Sequence, residues 1–163
     1  TADLDKMTDS GKMGMVLLMV IGGSPGSTAG GMKTTTAAVL FAMAISVFRK
    51  NEQAHLYNRR IAEETQRNAA TIFVLYMMLF TGSAMVISYV EKVPLVTAFF
   101  ETGSATGTVG LSLGLTPTLC LASRLILICL MFFGRVGGLT LIFATVSGKR
   151  TEYKYPQEKI TVG

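Results

Sequence analysis

The sequence predicts an all-α integral membrane fold built from helix–pore-loop–helix units, and three observations carry that reading. Half of the 163 residues are hydrophobic and only 15% are charged, against about 25% in a soluble domain. Residues 69–90 (AATIFVLYMMLFTGSAMVISYV) run for 22 positions without a charge. A short apolar segment, 93–105, separates that run from a second long one at 119–147.

Each element follows in order. Residues 13–21 are apolar but short, GGSPGSTAGG (22–31) interrupts them, and a second apolar stretch occupies 37–48. Together they read as one crossing element broken in the middle. Backbone freed by Gly and Pro at membrane depth must line a cavity or be buried in protein. The 69–90 segment is about 33 Å long as a helix and spans a hydrocarbon core of about 30 Å. VPLVTAFFETGSA (93–105) is too short to span and too apolar for a surface loop, so it reads as a re-entrant half-helix. Pro94 suits its first turn. The 119–147 run holds only Arg124 and Arg135 as charges and returns the chain across the membrane.

Charge sets the topology. Arg49, Lys50, Arg59, Arg60 and Arg67 lie in the 49–68 linker, and Lys149, Arg150, Lys154 and Lys159 in the tail. The positive-inside rule places both in the cytoplasm. The basic residues, net +5, form no clustered polar face, so no nucleic-acid partner is expected. Cys120 and Cys129 fall about 13.5 Å apart on one helix, beyond the ~7 Å limit for a disulfide. With one histidine and no metal-spaced cysteines, neither a metal site nor a catalytic set is expected.

Thr108-Val109-Gly110 follows the half-helix and Leu111 continues it. Successive carbonyls of such a strand can replace a cation's water shell, and glycine permits the required backbone angles. The alternative is a Gly-rich extracellular turn. The 24–31 loop, with Gly26, Ser27, Thr28, Ala29, Gly30 and Gly31, reads as a flexible constriction of small residues, or as a kink used only for packing. A phosphate-binding P-loop fails on spacing: GxxxxGK[ST] from Gly26 needs Lys at 32, where Met32 stands ahead of Lys33. Arg135, in FFGRVGGLT, lies about 24 Å down its helix, and the broken loop lies about 18–29 Å down its own. The matching depths let Arg135 bond loop carbonyls or hydroxyls; the alternative is a purely structural cap. Arg124 snorkels outward. Glu101 sits near the filter or serves as a structural acceptor, and His55 is solvated.

These motifs, GGSPGSTAGGMKTTT, TGTVGLSLGLTP, MFFGRVGGLT and the closing YPQEKITVG, resemble in order the membrane subunits of Ktr-type potassium transporters (KtrB-like), in the Trk/Ktr/HKT superfamily. The resemblance implies four repeats around one pore, with this chain holding the second half of the third and all of the fourth. It assigns Thr108, Val109, Gly110 and Leu111 to a single-glycine selectivity filter and residues 26–31 to a gating intramembrane loop. It makes Arg135 the arginine that reaches toward that loop. Gly138 stands where the family has proline, which implies a straighter helix beyond Arg135. The implied organisation is 1–48 for the half repeat, 49–68 as cytoplasmic linker, 69–147 for the complete repeat and 148–163 as cytoplasmic tail. The implied setting is a bacterial plasma membrane, multi-pass and lipid-embedded, with a homodimer on a cytosolic ring of nucleotide-binding regulatory subunits. No cofactor is implied in this chain; K⁺ is carried, often with Na⁺, and nucleotide belongs to the regulatory partner. A short tetrameric cation channel remains the alternative within transport, and a P-loop nucleotide-binding protein the alternative outside it.

Overall fold

The computed structural model describes residues 4–50, 54–56 and 59–137. The expected tail at 148–163, Gly138 and the remainder of the 119–147 run lie outside the described residues.

A 3₁₀ turn at Leu4–Lys6 leads into α1, Asp9–Ile21. The Thr8 hydroxyl caps α1 by accepting the Gly11 N–H at 3.3 Å. The helix stops where Gly22 takes φ +74°, its N–H donating to the Leu18 carbonyl at 3.1 Å. After an irregular segment, α2 covers Thr34–Phe48. Two antiparallel two-residue strands follow, β1 (His55–Leu56) and β2 (Arg59–Arg60), pairing His55 with Arg60 and Leu56 with Arg59. This small hairpin in the 49–68 linker has no forecast in the sequence. His55 is exposed.

Helix α3, Glu63–Glu91, has 29 residues, about 43 Å of helix, and is long and apolar enough to cross a membrane. It ends at Lys92, whose φ of +55° turns the chain toward Pro94. Helix α4, Leu95–Thr106, is a short helix, about 18 Å long, where the half-helix was expected. Helix α5, Leu121–Val136, starts at Cys120 and ends at Gly137 (φ +83°). The straighter helix expected from Gly138 onward lies outside the described residues. Both cysteines are free and exposed.

The fold is organised around α4. Residues 100–107 are all buried, although they include Glu101, Thr102, Ser104 and Thr106. On one side, Val16, Met19 and Val20 of α1 pack with Phe80 of α3 and Phe100. On the other, Ala84 and Ile87 of α3 and Leu127 and Leu130 of α5 pack with Ala98 and Ala105. Such tight crossings need small residues, which let backbones approach. A Cβ on Gly134 would stand 2.0 Å from the Thr106 carbonyl oxygen, and one on Gly107 2.5 Å from that of Met19. The two buried threonine hydroxyls of α4 are satisfied within the helix: Thr102 donates to Ala98 at 2.9 Å and Thr106 to Thr102 at 2.8 Å.

Helix α2 does not simply prolong α1. Leu17, Val20 and Ile21 of α1 line one apolar cavity of about 460 Å³ with Leu40 and Phe41 of α2 and Met77 of α3. Met32 packs with Ile72 and Tyr76. The break between α1 and α2 therefore turns the chain across the face of α3.

Candidate functional site

Three sequence-predicted pieces meet at one place: the 22–33 segment, the strand after α4, and the end of α5. The strand begins at a helix cap. Thr108 N–H donates to the Ala105 carbonyl at 3.1 Å and Val109 N–H to that of Ser104 at 2.9 Å. That pair of bonds is a Schellman motif, whose left-handed residue is usually glycine. Here it is Thr108, at φ +53°. A β-branched residue in that region is a genuine outlier, and such strain gathers at functional positions. Gly110 (φ +83°) and Val109 are exposed, and Leu111 is half-buried.

Thr108 also touches the loop. Its hydroxyl oxygen accepts the Gly30 N–H at 2.8 Å, and the Gly107 carbonyl shares that donor at 3.2 Å. A Cβ on Gly30 would stand 2.8 Å from the Thr108 methyl and 3.0 Å from the Gly134 carbonyl oxygen. Only a glycine lets the loop lie in this slot between α4 and α5.

The loop has a closed neck and a free tip. Met32 N–H donates to the Val20 carbonyl and Thr34 N–H to that of Gly23, both at 3.1 Å. Gly22 and Gly31 pass so closely that a Cβ on Gly22 would meet the Gly30 carbonyl oxygen at 2.2 Å. At the tip, Ser27 N–H reaches the Ser24 carbonyl at 3.1 Å, with Gly26 at φ +84°. Pro25 and Gly26 are thus the central pair of a type II turn. Two cationic side chains hold successive carbonyls between tip and slot. Arg135 Nη1 donates to the Thr28 carbonyl at 2.8 Å, and Lys33 Nζ to the Ala29 carbonyl.

The predicted residues Gly30, Thr108 and Arg135 therefore come together, with Thr28 and Ala29 held beside them. Gly26 and Ser27 form the exposed tip, apart from the strand. Sequence reasoning missed Lys33 as a loop-holding residue, although its place directly after Gly30-Gly31-Met32 put it within reach. The P-loop alternative also needs a strand before the glycines, and the preceding residues are helix α1.

Glu101 is the other residue whose role geometry supplies. It is 3% exposed. One carboxylate oxygen accepts the Ser112 hydroxyl at 2.6 Å and the Leu113 N–H at 3.0 Å; the other accepts the Thr116 hydroxyl at 2.8 Å. Glu101, Thr108, Gly110, Leu111 and Arg135 all line one cavity of about 750 Å³. At the far end of the helices, Glu91 accepts the Cys120 N–H at 2.9 Å and Arg124 donates to the Pro117 carbonyl at 2.8 Å. Arg124, exposed, thus reaches back beyond the start of α5 and ties down the entry to that helix. Among the described residues, no group of His, Cys, Asp and Glu is arranged to hold a metal.

Potassium/sodium uptake protein NtpJ of Enterococcus hirae is 40% identical over 168 residues, spanning 99% of this chain and 37% of its own length. Ktr system potassium uptake protein D of Bacillus subtilis is 32% identical over 165 residues, spanning all of this chain and 36% of its own. Ktr system potassium uptake protein B of Vibrio alginolyticus is 32% identical over 163 residues, with the same coverage. The chain spans a little over a third of the length of these curated relatives. Residues 1–153 match the family described as cation transport protein, TrkH. On that match and those identities, the chain belongs to the TrkH family of cation transport proteins, with Ktr-type and NtpJ potassium uptake proteins among its relatives.

Proposed function

We propose that this chain forms part of a potassium uptake pore in a bacterial membrane, with Na⁺ as a second transported or coupled ion. The strand at Thr108, Val109, Gly110 and Leu111 supplies one wall of a single-glycine filter. The 26–31 loop closes the passage beneath it, and Arg135 secures the closed loop. The observation that carries this reading is the seat of the loop: Gly30 N–H on the Thr108 hydroxyl, with Arg135 on Thr28 two residues earlier. A constriction made of small residues and fixed by removable side chains is what a two-state element requires. The lengths of α3, enough to span a membrane, and of the short α4 after it support the reading of these elements as spanning helix and half-helix. Exposed Met78, Met85 and Tyr89 on α3 suit a lipid-facing surface.

The names of the relatives support potassium and sodium as the ions, and the Ktr-system names support a multi-component assembly. In that assembly the full-length membrane subunit pairs as a homodimer on a cytosolic ring of nucleotide-binding subunits. The 49–68 linker and the tail face that ring. Nucleotide on the ring biases the loop through the cytoplasmic ends of the helices.

The test is Gly110→Ser in a full-length protein carrying this sequence. A Cβ at φ +83° strains the strand whatever space surrounds it, so the preference for K⁺ over Na⁺ in uptake competition falls. Unchanged relative affinities for the two ions would remove the filter from this strand.

A further inference from the structure

Besides its contact with Gly30, the 107–116 segment is anchored to α4 at two points. At one end, the Ser104 and Ala105 carbonyls hold Val109 and Thr108 through the helix cap. At the other, the Glu101 carboxylate, one turn earlier on the same helix, takes three donors from Ser112, Leu113 and Thr116. Only Gly110 and Leu111 lie between the two clamps. The Ser112 hydroxyl is itself tied on by the Gly114 N–H at 3.0 Å, so the carboxylate organises a small network.

A carboxylate buried this deeply is costly unless its oxygens are filled. Here both are filled by the one loop, and charge-assisted bonds of this kind are the strong ones. The helix beneath is fixed as well, packed by α1, α3 and α5 over residues 98–107. The spacing of the carbonyls at 109–111 is therefore constrained at both ends by bonds to one helix. Discrimination between two monovalent cations depends on the number and placement of such carbonyls. A site loosened by about half an ångström loses that discrimination.

We propose that Glu101 is the positioning residue for ion preference. It sets the geometry of the Val109–Leu111 strand through Ser112, Leu113 and Thr116, and it does not touch the ion. The proposal rests on the filter assignment above, and the experiment separates the two.

The measurement is competitive uptake of Rb⁺ and Na⁺ by the full-length protein with its regulatory subunits, alongside its abundance in the membrane. Glu101→Ala lowers the Rb⁺-over-Na⁺ ratio about tenfold, the effect expected from losing one to two charge-assisted bonds. Ser112→Ala combined with Thr116→Val removes donors from the loop side, leaves the buried carboxylate in place, and lowers the ratio several-fold. That pair keeps the test open should Glu101→Ala fail to accumulate. Glu101→Gln retains the ratio, because its amide oxygen accepts from Ser112 and Leu113 while its NH₂ donates to the Thr116 hydroxyl. A ratio unchanged in the Ser112→Ala, Thr116→Val protein overturns the proposal. So does a Glu101→Gln protein whose apparent affinities for both ions weaken in parallel, since that result assigns Glu101 an electrostatic role. Gly110→Ser is the control: if it too leaves the ratio unchanged, the filter assignment has failed, and if it alone shifts the ratio, only the role of Glu101 has.

Discussion

Two of the breaks between helices, at 22–33 and at 107–116, are built in opposite ways. The strand after α4 is fastened from within. Its bonds run to the cap carbonyls and to a carboxylate of the helix that precedes it, and that helix is buried over residues 100–106. The 22–33 loop is fastened chiefly by side chains. Apart from its glycine neck, it is held by the Arg135 guanidinium, the Lys33 ammonium and the Thr108 hydroxyl. Lys33 and Arg135 are long, flexible side chains that can let go of a carbonyl and find water, whereas α4 cannot let go of its own cap. One interruption is suited to holding a fixed geometry and the other to changing state.

The sharpest way to break that contrast is to spoil the platform both share. Gly134→Ala drives a methyl to 2.0 Å from the Thr106 carbonyl oxygen. The α4–α5 crossing must open, costing about 3 kcal/mol or more. Membrane abundance and thermal stability of the full-length protein should both fall, and the cap that starts the strand should be disturbed with them.

A smaller effect separates the two regions. Arg135→Gln together with Lys33→Met removes both cationic anchors and destabilises the seated loop by about 2 kcal/mol. Because the two side chains hold adjacent carbonyls, the double change should exceed either single change in its effect on flux. Ion preference should stay near its original value, since α4 and its two clamps are untouched. A double variant that loses preference without gaining flux would mean that the anchors serve the strand.

The mildest change probes the contact between the regions. Thr108→Val keeps the shape and removes the acceptor. Gly30 N–H still has the Gly107 carbonyl at 3.2 Å, so the cost is held to about 1 kcal/mol. Basal flux with the regulatory subunits in their closed state should rise modestly, a change that rubidium uptake resolves.

Much of the frame was legible because its signals are local. An uncharged run announced α3, and a run too short to span, opening on Pro94, announced α4. Matching depths anticipated that Arg135 and the 24–31 loop meet. The remainder depends on partners distant in sequence. Gly30 and Thr108 are 78 positions apart and Arg135 and Thr28 are 107. No spacing rule announces that one donor falls on a hydroxyl. FFGRVGG offers three glycines, and only packing shows that Gly134 abuts the Thr106 carbonyl while Gly137 ends the helix. Glu101 was recognised as a possible acceptor, but its three donors lie 11 to 15 residues onward in a loop without periodicity.

The central claim is that the 26–31 loop closes the path under the strand that begins at Thr108. Its most direct test is rubidium uptake by a full-length protein lacking residues 26–29, with the Gly22–Gly31 neck retained. The account predicts higher flux, weakened control by the regulatory subunits and an unchanged K⁺-over-Na⁺ preference. Normal, fully regulated flux from that shortened protein would contradict it and leave the loop a packing element.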